Sequence, residues 1–352
     1  MSSEIRLPAF ECPVPIASSD RILLGHGSGG KLTAQLVERT IVPSLRNPIL
    51  EALDDQAFVP VGAQRVAFTT DSFVVSPIFF PGGDIGELAV NGTVNDLAMG
   101  GATPLFLSLS LILEEGLPIA DLERVLASVK RAADRAGVSV VTGDTKVVGK
   151  GSGDKVFVNT AGIGAPRADV DLGAHRVAPG DAILVSGTVG DHGMTILSTR
   201  EGLALDGDLV SDTAPLHELA AALLDACPDV HAMRDPTRGG LAATLVEIAS
   251  RRRLGIAIDE TRVPVRDVVR GACEIFGLDP LLVANEGKLA AFVPAESADR
   301  ALAALRAHPL GREAARVGLV TSEHAGTVVV RTPIGGRRVL DLPFAEALPR
   351  IC

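Results

Sequence analysis

Residues 86–113 read GELAVNGTVNDLAMGGATPLFLSLSLIL, and the change of period inside this run decides the fold class. Through Met99 the pattern is that of a helix. From Leu105 apolar residues alternate with serine, as in a strand with one buried face. A helix passing through Gly100-Gly101 into such a strand predicts layered α/β structure. Outward from it, RVAFTTDSFVV (65–75), VSVVTGD (138–144) and KVFVNTAGIG (155–164) read as strands and DLERVLASVKRAADRAG (121–137) as a helix. After residues 167–179 the alternation restarts with DAILVSGTVGDHG (181–193). Helices follow near 215–226 and 239–253, and IAIDE, LAAFVP and TVVVRT read as strands. The expectation is two α/β (α+β) domains, each with a mixed or largely antiparallel sheet and helices on one side. A fully parallel dinucleotide-binding sheet is disfavoured, because no G-x-G-x-x-G opens a helix after a first strand. The expected divisions are an N-terminal glycine-rich segment (1–44), a first domain (45–166), a second (167–335) and a flexible tail (336–352).

With 47% hydrophobic and 22% charged residues, the 352-residue chain has apolar material for two ordinary domains. No apolar run approaches the ~20 residues that span a bilayer, and the first twenty residues carry charges and three prolines. A soluble, cytoplasmic protein is expected. A net charge of −10 with neither Trp nor Tyr argues against nucleic acid and anionic membranes as partners. Arg251–Arg253 read as a solvated helix end. Cys12, Cys227, Cys273 and Cys352 lie far apart with no C-x-x-C pair, so a disulfide framework or zinc site is not indicated. Cys227 and Cys273 read as small core residues.

The chemistry is concentrated in Asp-centred turns. They contain Asp54 and Asp55, Asp71, Asp96, Asp144, Asp191 and Asp235, mostly at strand ends or helix starts. Singly each suits a turn or an N-cap. Together, with few His or Cys nearby, hard oxygen ligands suit Mg²⁺ bridging carboxylates to nucleotide phosphates. The run Gly25-His26-Gly27-Ser28-Gly29-Gly30-Lys31 could cradle phosphate with its backbone, or be a plain surface loop. It is no Walker A, since Leu32 stands where a hydroxyl is required. The sequence ends in Leu348-Pro349-Arg350-Ile351-Cys352, a thiol on a proline-stiffened segment that can be delivered to a site.

GHGSGGK, TTDSFVVSP, NGTVNDLAMGGA, GDTKVV, VNTAGIG, SGTVGDHG, RDPTRGGL, NEG and the final PRIC together resemble the HypE family of hydrogenase maturation proteins. That family lies within the wider group of aminoimidazole ribonucleotide synthetases, selenophosphate synthetases and thiamine-monophosphate kinases. The resemblance implies a two-domain PurM-like fold and a homodimer whose N-terminal domains share a β-barrel. It implies ATP and Mg²⁺ in an interdomain cleft under the glycine-rich segment (Gly27, Gly29, Gly30, Lys31). Cys352 would receive a carbamoyl group from HypF, and ATP-dependent dehydration would leave a thiocyanate for the HypC–HypD complex. Lys146 and Glu286 match positions flanking the tail cysteine. Asp54, Asp71, Asp96 and Asp235 are the candidates for metal and phosphate, followed by Asp55 and Asp144, and Asn159 for orienting nucleotide or substrate. His192 is read as satisfying its own loop. A selenophosphate synthetase would need a reactive Cys with a Lys early in the chain, and Cys12 lacks the Lys. A thiamine-phosphate kinase leaves Cys352 unexplained, and a non-catalytic thiol carrier leaves the Asp turns unexplained.

Overall fold

The computed structural model describes residues 21–168, 170–203, 207–343 and 350–352. Cys12 and Pro349 lie outside them. A short helical segment comprising α1 (Lys31–Leu36) and α2 (Val42–Leu45) leads into the first sheet. Its strands are β1 (Ala57–Val61) and β2 (Gln64–Phe73), then β5 (Ala102–Glu114), β6 (Ser139–Val148) and β7 (Val156–Pro166). A minor hairpin of β3 (Phe79–Phe80) and β4 (Gly83–Asp84) precedes helix α3 (Ile85–Met99), and α4 (Ile119–Ala136) joins β5 to β6. The strand order is β1-β2-β7-β5-β6, antiparallel except for β5 with β6. The 86–113 run is α3 followed by β5, as its two periods predict.

Helix α3 begins where the Asp84 side chain accepts the Gly86 and Glu87 N–H groups. It is buried almost all round, because it lies between the first sheet and the second unit and carries small residues on several faces. Helix α4 is amphipathic and buries Val125, Val129, Ala132, Ala133 and Ala136 against α3. Both helices lie on one face of the sheet. On the other, Phe68, Ile163 and Phe106 are 41%, 41% and 46% exposed. They stand in one row across β2, β7 and β5, since Phe68 pairs with Ile163 and Ile163 with Phe106.

The second sheet has the order β14-β13-β10-β12-β8-β11-β9. Its strands are β8 (Ala182–Val185), β9 (Ala232–Arg234), β10 (Gly255–Asp259), β11 (Ala290–Val293), β12 (Ala315–Thr321), β13 (Val328–Arg331) and β14 (Arg337–Leu340). It too is mixed and mostly antiparallel. Helices cover it on both faces, however. Ile183 and Val185 pack toward α7 (Gly240–Arg252), whereas Ala182 and Leu184 pack toward α6 (His217–Ala226) and α9 (Ala298–Ala307). Strands buried on both faces read as continuous apolar runs, and AILV and AAFV are such runs, so the one-sided expectation fails here. Helix α5 (Asp191–Arg200) carries the SGTVGDHG turn, and α8 (Asp267–Phe276) packs beside it. Cys227 and Cys273 are core residues, and burial pushes the Cys273 thiol up to about 12.

The end of the chain is not one long free tail. Arg337–Leu340 pairs with β13 across the Gly335-Gly336 turn, and Ile351 and Cys352 are buried. No described helix is long and apolar enough to cross a membrane.

Candidate active site

The last three residues enter the cleft between the two units and lie alongside residues 74–76. Val74 N–H donates to the Cys352 carbonyl and Ser76 N–H to the Arg350 carbonyl, each at 3.2 Å. Ile351 sits among Phe80, Val75, Ile78, Ile196 and Ala284, a burial that contributes about 2 kcal/mol. Arg350 pairs with Asp154, and Arg200 donates to the Arg350 carbonyl at 2.8 Å. Cys352, at 8% exposure, is thereby fixed beside Glu286. The docked end itself occupies the cleft. The roomier grooves lie elsewhere, the larger of them, about 490 Å³, on the second sheet beside Leu319, Val329 and Arg331.

Glu286 is held from all sides by backbone and buried polar groups. Its N–H donates to Asp212 Oδ1 at 3.1 Å, and Asp212 is paired with Lys288 at 3.0 Å. Its carbonyl accepts from Asn95 Nδ2 at 3.3 Å. Asn285 accepts the Gly190 N–H and donates to the Pro236 carbonyl, which ties the SGTVGDHG and RDPTRGGL turns to this segment. Gly287 follows because the Asp212 carbonyl passes 1.7 Å from where a Cβ would stand. Oε1 of Glu286 is buried with no hydrogen-bond partner among the described residues. Burial, with Asp71, Asp235 and Asp212 nearby, pushes this carboxyl well above the usual range. Burial and Glu286 likewise push the Cys352 thiol well above its ordinary value, against the opposing pull of Arg238.

Arg238 is the cation facing the thiol. Cys352 is the neighbour that most raises its pKa, with Asp71 and Glu286 adding to the effect. It lies at the open mouth of the cleft and donates to the Gly27 carbonyl at 3.3 Å. Gly29 adopts φ +76° with the Arg238 backbone 2.8 Å from where its Cβ would be, so only glycine allows the loop to lie on this turn. Gly30 and the Lys31 N–H meet the Pro343 carbonyl. The glycine-rich run therefore covers the entrance to the docked end.

Asp71, Asp96 and Asp235 are brought together. Desolvation raises each carboxyl, and Asp71, Asp235 and Asp55 raise Asp96 further. Asp235 is pushed up to about 8 by burial and then by Asp55. Thr69 Oγ1 orients Asp96 at 2.7 Å, and Asn159 Nδ2 donates to the Asp71 carbonyl at 2.9 Å. The described residues hold no cage of three or more His, Cys, Asp or Glu. Mutually repelling carboxylates without a cage suit a cation that keeps its waters and binds phosphate, as Mg²⁺ does.

Several expected residues are elsewhere. Asp54 pairs with Arg234 at 2.9 Å and stands apart from the cluster, whereas Asp55, paired with the same guanidinium, belongs to it electrostatically. Lys31 pairs with Asp341 at 2.5 Å. Lys146 and Asp144 pair with each other at 2.6 Å on the edge strand β6, which is exposed on both faces from Ser139 to Val147. Arg251 is not simply solvated, since it donates to the Leu53 carbonyl at 2.9 Å. His192 does more than satisfy its loop. It is fully buried and bonds the Ile351 carbonyl at 2.9 Å. Asn95, Arg200, Asp212 and Arg238 were not singled out by sequence reasoning; Asn95 and Arg238 stand inside motifs already quoted, but Asp212 and Arg200 carry no local signal.

AIR synthase related proteins supply the matching domain families, their N-terminal domain over residues 53–165 and their C-terminal domain over residues 178–331. The carbamoyl dehydratase HypE of Azotobacter vinelandii is 53% identical over 327 residues, 93% of this chain and 96% of the relative. The chain belongs to the HypE family of carbamoyl dehydratases. A crystal structure of the hydrogenase maturation protein HypE in complex with ATP is similar at 50% identity and a TM-score of 0.80, covering 94% of this chain and all of that one. The HypE of a crystallised HypE–HypF complex is similar at 44% identity and a TM-score of 0.83, with 88% and 99% covered. For a HypE-family chain, the placement of Cys352 beside Glu286 joins the residues of the final PRIC and NEG motifs in one site.

Proposed function

We propose that this chain uses ATP to dehydrate a carbamoyl group carried on Cys352, leaving a thiocyanate that supplies cyanide ligands to the NiFe-hydrogenase centre. The observation that carries this reading is the docked Cys352 against Glu286, whose Oε1 is buried without a partner. A carboxamide on the sulfur brings N–H donors to that oxygen. ATP, when bound with Mg²⁺, supplies a phosphoryl group to the carboxamide oxygen, so that phosphate rather than hydroxide leaves. Glu286 accepts the N–H protons, its raised pKa making the carboxylate a stronger base. Arg238 offsets negative charge beside the sulfur, and Asp71, Asp96 and Asp235, with Asp55, hold the metal and phosphates. The balance is S-carbamoyl-cysteine plus ATP giving S-cyano-cysteine, ADP, phosphate and a proton.

The docked thiol has a raised pKa and is a poor nucleophile, so carbamoylation by a HypF-type transferase takes place with the end of the chain released. The cyano group then passes to iron on a HypC–HypD complex. In the test, mass spectrometry follows the C-terminal peptide after incubation with carbamoyl phosphate, HypF and ATP. A carbamoyl adduct that loses one water only when ATP is present supports the proposal. ATP turnover with no adduct on Cys352 overturns it.

The row Phe68–Ile163–Phe106 on an uncovered sheet face supports a homodimer through the first domains. Lys146 and Asp144, on the neighbouring edge strand, would enter a site only across that interface. Phe106→Glu is expected to convert the dimer into a folded monomer, read by light scattering after size-exclusion chromatography.

A further inference from the structure

The hydrogen bond from His192 to the end of the chain belongs to a directed series whose polarity can be worked out atom by atom. The Ile351 carbonyl can only accept, so Nε2 of His192 carries the proton at 2.9 Å. Burial lowers the His192 pKa and keeps the ring neutral, so Nδ1 is the acceptor. It is met by the Ser211 hydroxyl at 2.8 Å, and Ser211 Oγ in turn accepts the Thr213 N–H at 3.2 Å. The ring is further fixed edge-on against Phe80, 5.6 Å between centroids. Arg200 makes the adjacent contact, joining the Ser76 and Arg350 carbonyls at 2.7 and 2.8 Å. The ring lies at the start of α5 in the second unit, and the edge bearing Val74 and Ser76 belongs to the first. The end of the chain is thus gripped from both.

We propose that His192 is a positioning residue for the reaction at Cys352: its Nε2–H, oriented by Ser211, grips the Ile351 carbonyl and sets the depth and direction in which the sulfur meets Glu286. The geometry requires a donor at the Nε2 position and nothing else of the ring. The side chain does not touch the reacting group. It holds the residue before it, so its loss lets the last residue swing while leaving Glu286 and the carboxylate cluster in place. The grip reads a backbone carbonyl, so it is indifferent to whether Cys352 is free, carbamoylated or cyanylated. The inference about rate rests on the proposed dehydration, and the inference about docking does not.

The test uses the full-length protein with His192→Leu, which removes the donor, and His192→Gln, which returns an N–H near the same point. Alkylation of Cys352 by iodoacetamide is followed on the C-terminal peptide, so other cysteines do not interfere. Because the thiol reacts only when undocked, His192→Leu should be labelled about tenfold faster than the wild type, the loss of one buried hydrogen bond. Its single-turnover dehydration should slow while KM for ATP stays unchanged, and His192→Gln should recover both quantities. Ser211→Ala, which touches no atom of the docked end, should shift labelling the same way by a smaller factor, and it serves if His192→Leu does not fold. Unchanged labelling in His192→Leu and Ser211→Ala, or a Gln variant no better than Leu, overturns the proposal. Faster labelling in a protein whose wild type never forms thiocyanate upholds the grip and removes the dehydration reading instead.

Discussion

Glu286→Gln is expected to accumulate S-carbamoyl-Cys352 and to dehydrate it about 10²–10⁴-fold more slowly, the usual worth of a positioned base. Glutamine fills the same space, and the Asp212 and Asn95 contacts to the Glu286 backbone remain. What is lost is the ability to take the N–H protons. The wild type should show the complementary pH profile. Below the raised pKa of Glu286 the acid is protonated, so the dehydration rate should climb about tenfold per pH unit and level off only above the ordinary carboxylate range. The Gln variant should lack that limb. Stability follows the same linkage with the opposite benefit. A carboxyl whose folded pKa lies above its unfolded value stabilises the fold at low pH, and that contribution is lost as pH rises through the folded pKa. Glutamine has no proton to lose, so the variant should unfold at a higher temperature than the wild type at alkaline pH and not at acid pH. A variant that dehydrates at the wild-type rate would remove Glu286 from the chemistry.

Cys352→Ser should abolish the reaction altogether. The hydroxyl keeps the size of the side chain and the backbone bonds to Val74 and His192, so the end of the chain still docks. It cannot form a thiocarbamate, and with an alcohol's high pKa it is a far weaker nucleophile than a thiol. Intact-mass analysis should show no carbamoyl or cyano adduct, and ATP consumption should fall to the uncoupled background. An ATP-dependent cyano adduct on the serine variant would place the carrier on some other residue.

The sequence made the layers legible because their two periods are carried by long runs: α3 and β5 are read directly from residues 86–113. The second sheet was half read. Its strands AILV and AAFV are short and uniformly apolar, and such runs do not say how many faces are covered. At the site, Asp71, Asp96 and Asp235 were legible from the motifs around them, although Asp71 lies within β2 and Asp96 within α3 rather than in the turns expected. Asp54 and Asp55 are adjacent, chemically alike and both paired with Arg234, and only the nearness of Asp55 to Asp96 and Asp235 separates their roles. Lys146 matched the family pattern by sequence, yet the fold places it on an exposed edge strand, since a local motif does not say where its strand will lie in the sheet. His192 was misread because its partner lies 159 residues away along the chain.

Pro343, held by Gly30 and the Lys31 N–H, has a consequence for encounter. Eight residues lie between it and Cys352, a tether about 30 Å long when stretched. A thiol on such a tether samples its own cleft at an effective concentration on the order of millimolar. Return from a partner is therefore a unimolecular event whose odds do not depend on how much protein is present. At micromolar protein a neighbouring molecule's sulfur would rarely arrive first.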